Sequence, residues 1–306
     1  MRRFLCLLAA ALLLPLPCFG ESETPDAAFA VEDENTVFPP EEYEFDRRDS
    51  VRYESDTLIY TIESLRLDGT LCLLTKVWVQ DPLRQIRKVN ASWGESLSSS
   101  LQLFRQLPEA VLGTNASGYI SKAYPELPEG YPGESSDYYY TTLGSLVITE
   151  GEVLRKLEDV PFWGLSLSDR GITLHRGSSV DSVMALSPRQ TWAFFEPCAM
   201  QVNGEDTLPE KGSWTLADAP FPRSVIARVN RNNYLMLHVP NREDSYGLSL
   251  HRINKFFFSH FRTEWVYCLD GGYSSALIYR EKKKNARPVQ IAPGRQQVAD
   301  ILCFTE

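Results

Sequence analysis

The chain has 306 residues and a formal net charge of −9, with 43% hydrophobic and 23% charged residues, a globular composition. Nearly all of the charge is local. Residues 21–56 hold thirteen acids against Arg47, Arg48 and Arg52, while the 250 residues that follow hold 27 acids against 26 bases, so the body lacks the basic surface that a nucleic-acid partner needs.

Arg2 and Arg3 precede an uncharged apolar run, Phe4 to Leu16, broken by Pro15 and Pro17. Phe19-Gly20 then offers a small residue before Glu21. That order predicts a signal peptide over residues 1–20, cleaved near Gly20, and hence a secreted or extracytoplasmic protein. The run is too short for a spanning helix, and no other segment is long and apolar enough to cross a bilayer. Cys18 as an acylation site is disfavoured by Pro17, where a small residue is needed. Residues 21–56, acidic and interrupted by Pro25, Pro39 and Pro40, read as a solvated, flexible arm. Residues 57–306 contain no internal linker or repeat and predict a single domain.

Strand-like stretches dominate this body. They are Leu71 to Val79, Ala110 to Asn115, Ser145 to Thr149, Trp192 to Val202, Ser224 to Val229, Tyr234 to Val239, Val266 to Leu269 and Ala276 to Tyr279. Turn signals fall at Asp68-Gly69, Glu150-Gly151, Asn203-Gly204 and Asn232-Asn233, the last read as a two-residue hairpin turn. Helices are expected over Leu97 to Leu107 and Leu248 to Phe261. In the second, Leu250, Ile253, Phe257 and Phe261 share a face and Ser249 caps the start. The pattern predicts an α+β fold with a large mixed β-sheet core and a few packed helices. After signal cleavage four cysteines remain, Cys72, Cys198, Cys268 and Cys303, each in an apolar stretch that suits a disulfide or a buried thiol equally. Neither they nor the four histidines show a zinc-site spacing.

The stretch richest in chemistry is Leu269-Asp270-Gly271-Gly272-Tyr273-Ser274-Ser275. A strand delivers an acid at its end, two glycines permit a tight turn and close approach of a ligand, and two serines add hydroxyls and backbone N–H groups. Asp270 there can orient a sugar hydroxyl, hold a cation or move a proton; a plain β-turn is the structural alternative. The final Ala276 excludes the nucleophile elbow of hydrolases.

Cys268 to Ser275 resembles the Asn-Leu-Asp-Gly-Gly-Gly-Ser-Ser signature of the phosphodiester glycosidase family. Further segments agree in order: Val77 to Pro82, Gly113 to Tyr119, Gly144 to Gly151, Phe194 to Glu205, Pro222 to Ile226 and Val298 to Phe304. The resemblance spans roughly residues 71 to 304. It implies a hydrolase acting on a bond between a sugar anomeric carbon and a phosphodiester, in a glycan or envelope polymer. It implies Asp270 as the catalytic carboxyl and Arg223 as the phosphate ligand, because a planar guanidinium suits a phosphate diester. Asn115, Gly271, Gly272, Ser274, Ser275 and Arg242 are the further candidates for substrate binding. The chain departs from the family pattern at Glu196, Arg228, Pro240, Cys268 and Tyr273. Those departures carry an alternative, a catalytically impaired relative that binds cell-envelope glycopolymers; a third reading is a secreted scaffold whose acidic arm contacts a partner. Glu196 is also weighed as a second carboxylate, since glycosidases commonly use two. Tyr138 to Tyr140 and Lys282 to Lys284 are weighed as glycan contacts against edge packing and a solvated turn. No cofactor is identified and a metal requirement is left open.

Overall fold

The computed structural model describes residues 43–121, 140–193, 198–213, 215–243, 245–283 and 285–306. The signal segment, Tyr138, Tyr139, Glu196 and Lys284 lie outside them. The N-terminal elements are β1 (Tyr43–Glu54), β2 (Leu58–Leu67), β3 (Thr70–Val79), α1 (Pro82–Gln85), β4 (Ile86–Asn90), α2 (Ser100–Arg105), β5 (Ala110–Asn115) and β6 (Tyr119–Ile120). The middle of the chain forms β7 (Thr141–Thr142), β8 (Leu146–Thr149), β9 (Glu152–Lys156), β10 (Phe162–Ser168), β11 (Gly171–Ser178), α3 (Val180–Met184), β12 (Gln190–Ala193), β13 (Ala199–Val202), β14 (Glu205–Asp206) and α4 (Thr215–Asp218). Then follow β15 (Arg223–Arg228), β16 (Asn233–Val239), α5 (Leu250–His260), β17 (Trp265–Cys268), a 3-10 turn (Gly272–Ser274), β18 (Leu277–Tyr279), β19 (Val289–Ala292) and β20 (Asp300–Thr305).

Two sheets frame the core. One has eight strands in the order β1-β2-β3-β16-β15-β17-β13-β14, the other five in the order β19-β18-β5-β20-β4. The α+β class with a large sheet core stands, and every pairing among the described residues is antiparallel rather than mixed. Central strand β16 is buried at all seven positions, as the apolar stretch Tyr234 to Leu237 at its middle requires of a strand covered on both faces. The Tyr234 and Phe304 rings meet at 6.2 Å, joining the two sheets through one apolar cluster. Burying a side chain of this size is worth about 1.5–3 kcal/mol. Between the sheets His238 Nε2 pairs with Thr114 Oγ1 at 2.8 Å. Burial pulls that imidazole down to about 3, so it stays neutral.

Helix α5 forms where the 3.6-residue period placed it. Ser249 Oγ accepts from Arg252 N at 3.2 Å, and Leu250, Ile253, Phe256 and Phe257 are buried against the large sheet. Helix α2 starts with the capping box of Ser99 and Gln102.

Three of the four turn signals are two-residue hairpins with both residues at positive φ: Asp68-Gly69, Glu150-Gly151 and Asn203-Gly204. Asn232-Asn233 is not. Strands β15 and β16 are joined by residues 229–232, Asn233 already belongs to β16, and Asn230 Oδ1 organises the loop by accepting from the N–H groups of Asn232 and Asn233, each at 3.0 Å. Neither of those asparagines adopts a positive φ, so the two-residue turn cannot form there. The stretch expected as one strand from Trp192 to Val202 is two, β12 and β13, in different sheets. Strand β1 occupies the last part of the segment read as a solvated arm. It pairs along β2, with Tyr53 buried and stacked on Tyr60 at 5.2 Å, and the Tyr53 hydroxyl donates to Glu306 at 2.8 Å. Aromatic burial and a full ladder outweigh the local excess of acids. The four cysteines are free and buried, so the open choice falls to thiols.

Candidate active site

The C-terminal end of β17 and the start of β15 lie side by side, because Val225 pairs with Cys268. The chain leaving β17 is then tied down bond by bond. Leu269 N donates to Ser224 O at 2.8 Å, Asp270 N to Ala116 O at 2.9 Å, and Gly272 N to Pro222 O at 2.8 Å. A Cβ on Gly271 would sit 3.0 Å from Pro222 O, and Gly272 turns at a φ of +61. Both glycines are therefore needed to bring this turn against the start of β15.

A cavity of about 350 Å³ opens here. Its lining includes the polar groups of Asp270, Ser274, Gln296 and Tyr119 with the glycines of the turn, the apolar Leu216, Phe221 and Leu250, and Arg223, Cys198, Cys268 and Leu269. Arg223 is buried, and its Nε donates to Leu248 O at 3.2 Å while Nη2 donates to Leu216 O and to Ala219 O at 2.9 Å. Its Cζ lies 5.2 Å from the Phe221 ring centroid. None of these partners is a carboxylate. Burial pulls its pKa below the usual value and the nearby Cys268 and Cys198 thiols pull the other way. The result is a fixed cation in the cavity wall, held by neutral groups and with no counterion among the described residues.

Asp270 is partly exposed as a residue, but its Oδ2 is buried and has no hydrogen-bond partner among the described residues. Oδ1 accepts from Gly271 N at 2.9 Å. Burial raises the carboxyl from 3.8 to about 7; the Ser274 hydroxyl and the Gly271 N–H hold it back, and the charge of Asp300 adds to the rise. A carboxyl with that acidity can take or give a proton near neutral pH.

Of the other residues singled out, Gly271, Gly272 and Ser274 reach the cavity. Asn115 does not. It is fully buried, with Nδ2 donating to Asp270 O at 2.6 Å and Oδ1 accepting from Ser224 Oγ at 2.8 Å and Ala276 N at 2.9 Å. It is a strut beneath Asp270 rather than a ligand contact, because its polar atoms serve the protein. Ser275 is likewise buried, donating to Arg223 O at 3.0 Å and accepting from Ser224 Oγ at 3.0 Å. Arg242 is exposed and does not line the cavity.

Sequence reasoning overlooked Leu216, Gln296 and the Lys88–Asp300 pair. Lys88 Nζ and Asp300 Oδ2 meet at 3.0 Å, both side chains fully buried. Asp300 also accepts from Ser117 N at 2.8 Å and Ser117 Oγ at 2.7 Å, fixing the loop that presents Gly118 to the cavity. Burial depresses the Lys88 ammonium and the Asp300 carboxylate opposes that. Among the described residues no three His, Cys, Asp or Glu side chains gather as a metal-ligand cluster.

Among solved structures, the catalytic domain of zebrafish N-acetylglucosamine-1-phosphodiester α-N-acetylglucosaminidase, auto-inhibited by its pro-peptide, matches with a TM-score of 0.58 at 14% identity, covering 86% of this chain and 88% of that one. A hypothetical protein from Synechocystis matches with a TM-score of 0.51 at 12% identity, covering 85% of this chain and 64% of that one. At these identities the likeness is one of fold. No curated protein matches the chain. No helix among the described residues is long and apolar enough to cross a membrane. The sequence model of the phosphodiester glycosidases matches residues 109–305, about two thirds of the chain and the part that carries Arg223, Asp270 and the strut beneath them; the chain belongs to the phosphodiester glycosidase family.

Proposed function

We propose that the protein is an exported hydrolase that cleaves sugar-1-phosphodiesters, of the GlcNAc-1-phosphodiester type named for the zebrafish enzyme, in a glycan or envelope polymer. One observation carries the reading: a buried guanidinium without a carboxylate partner shares a cavity with a carboxyl raised to about 7. Arg223 binds the phosphodiester anion. Water attacks the anomeric carbon, the bond from that carbon to the phosphate oxygen breaks, and the phosphate leaves as a monoester with the bonding pair. The charge on the phosphate grows in that step, where a fixed cation stabilises it most. A phosphate monoester has a second pKa of about 6 and departs without a strong acid. The proton to be handled is therefore the one lost by the attacking water, and Asp270 Oδ2 accepts it.

The test is release of GlcNAc from methyl GlcNAc-1-phosphodiester by the mature protein, with Asp270→Asn and Arg223→Ala alongside. Turnover by the parent, with kcat/KM rising with pH through an inflection near 7 and lost in both variants, is expected. No turnover with or without added divalent metal would refute the reading for this substrate, and turnover untouched by Asp270→Asn would refute that residue's role. A second reading, a glycopolymer-binding relative without turnover, draws on the single carboxyl among the described cavity residues and on Pro240-Asn241-Arg242, where the family carries an acid. Retained glycan binding with no hydrolysis would favour it.

A further inference from the structure

The cavity lining mixes polar and apolar groups. Asp270, Ser274, Gln296 and Tyr119 supply polar groups, and Gln296 N donates to Tyr273 O in the turn that follows β17. Leu216 of α4, Phe221 and Leu250 of α5 form an apolar bank, gathered by the Phe221–Leu248 bridge and by Arg223 on the Leu216 and Leu248 carbonyls. Arg223 marks the border, since its guanidinium caps the carbonyls of Leu216, Ala219 and Leu248 on the apolar side while its backbone meets the turn at Gly271.

The apolar bank also continues outwards. Among the described residues seven large hydrophobic side chains are exposed, and three of them gather here: Leu216 at 45%, Phe221 at 39% and Tyr246 at 77%. Tyr246 precedes Gly247, which packs on the Phe221 backbone, and Phe221 and Leu248 form a β-bridge. Scattered exposed hydrophobics need no explanation, but a cluster continuous with a cavity marks a binding surface. A fourth, Tyr273 at 61%, belongs to the turn that carries Gly272 and Ser274.

We infer that the site is built for sugar-1-phosphodiesters in which the second alcohol on the phosphate, the one that departs with it as a phosphate monoester, is a hydrocarbon chain. This rests on the reading of the site as a sugar-phosphodiester site. With the phosphate on Arg223, the sugar lies towards Asp270, Ser274 and Gln296, where its hydroxyls find partners and Tyr273 offers a ring face. The alcohol then lies along Leu250, Phe221 and Leu216. A polyol or second sugar placed there would lose hydration without gaining hydrogen bonds, whereas an alkyl chain gains from leaving water.

The experiment uses non-cleavable probes, C-glycosyl phosphonate monoesters of GlcNAc in which CH2 replaces the bridging oxygen, esterified with methanol, hexanol or glycerol. Hexyl phosphate without sugar is the fourth probe, and calorimetry on the full mature chain gives each Kd. A fully buried methylene is worth about fourfold in affinity, so five methylenes half-buried should tighten the hexyl ester over the methyl ester on the order of thirtyfold. The glyceryl ester should bind no tighter than the methyl ester. Leu216→Asn, a change at an exposed position, should shrink the ratio of hexyl to methyl affinity at least threefold. Equal affinity for methyl and hexyl, or a preference for glyceryl, would overturn the inference while leaving the phosphodiester reading intact. Hexyl phosphate binding as tightly as the hexyl glycosyl phosphonate would instead overturn the glycosidase reading and leave the apolar bank standing.

Discussion

Replacing Asp270 with Asn should abolish turnover and stabilise the protein, with a gain that grows between about pH 4 and pH 7 and holds above. In the unfolded chain this carboxyl titrates near 3.8, and in the folded protein burial moves it to about 7. The folded state thus holds the proton more tightly. Near pH 4 the group costs folding almost nothing, because the native state is protonated. As pH rises towards 7 the unfolded chain releases the proton first and native stability falls. Above 7 the deficit is constant. The gap between about 7 and 3.8 converts to about 4 kcal/mol, an upper bound because one edge of the residue is wet. Asn carries no such linkage. Urea unfolding of parent and variant from pH 4 to pH 8 isolates the effect, since every other titrating group is common to both. The difference should be small at pH 4 and grow to between about 2 and 4 kcal/mol in favour of Asn at pH 8. A difference independent of pH, or an Asn variant less stable than the parent at pH 8, would refute the assignment of a buried, proton-retaining carboxyl.

Two further substitutions probe the supports of the site. Asn115→Ala strands Ala276 N and Asp270 O, while Ser224 Oγ keeps Ser275 Oγ as a partner; at about 1 kcal/mol for each buried group left unpaired, it should cost about 2 kcal/mol in chemical denaturation and lower kcat, and a loss below about 0.5 kcal/mol would show that the strut is dispensable. Lys88→Met leaves the Asp300 carboxylate buried without its cation. The expected loss is about 3–5 kcal/mol, with part recovered by Lys88→Met combined with Asp300→Asn; a single variant as stable as the parent would contradict the ion pair's burial.

Much of the architecture was legible where one local signal sufficed. Strands β5 and β16 carry apolar cores, Ala110 to Leu112 and Tyr234 to Leu237, α5 has a cap and a clean period, and three hairpins carry the residues that positive φ demands. Strand β2 was not recognised because its alternation slips phase: Leu58, Tyr60 and Ile62 face the core, then Leu65 and Leu67. In β1, acids between the apolar positions masked a strand that only its partner makes stable. At the site, Asp270 and its glycines announce themselves in seven consecutive residues. The strut at Asn115 and the Lys88–Asp300 pair do not, since each depends on residues more than 100 positions apart, the first meeting across the two sheets and the second on neighbouring strands β4 and β20. The apolar bank was hidden for the same reason, because α4, Phe221 and the start of α5 meet only in three dimensions.

The place of β20 has a consequence for how the molecule comes into being. It lies between β5 and β4 in the five-stranded sheet, although residues 86–115 are synthesised long before residues 300–305. Until β20 arrives, β4 has no partner in the five-stranded sheet and the central strand β5 lacks one of its two neighbours. A ribosome-bound chain therefore stays unable to complete its fold for most of its synthesis, and the closure that completes it is long-range and slow. Any truncation before residue 300 should yield an aggregation-prone fragment rather than a smaller working domain.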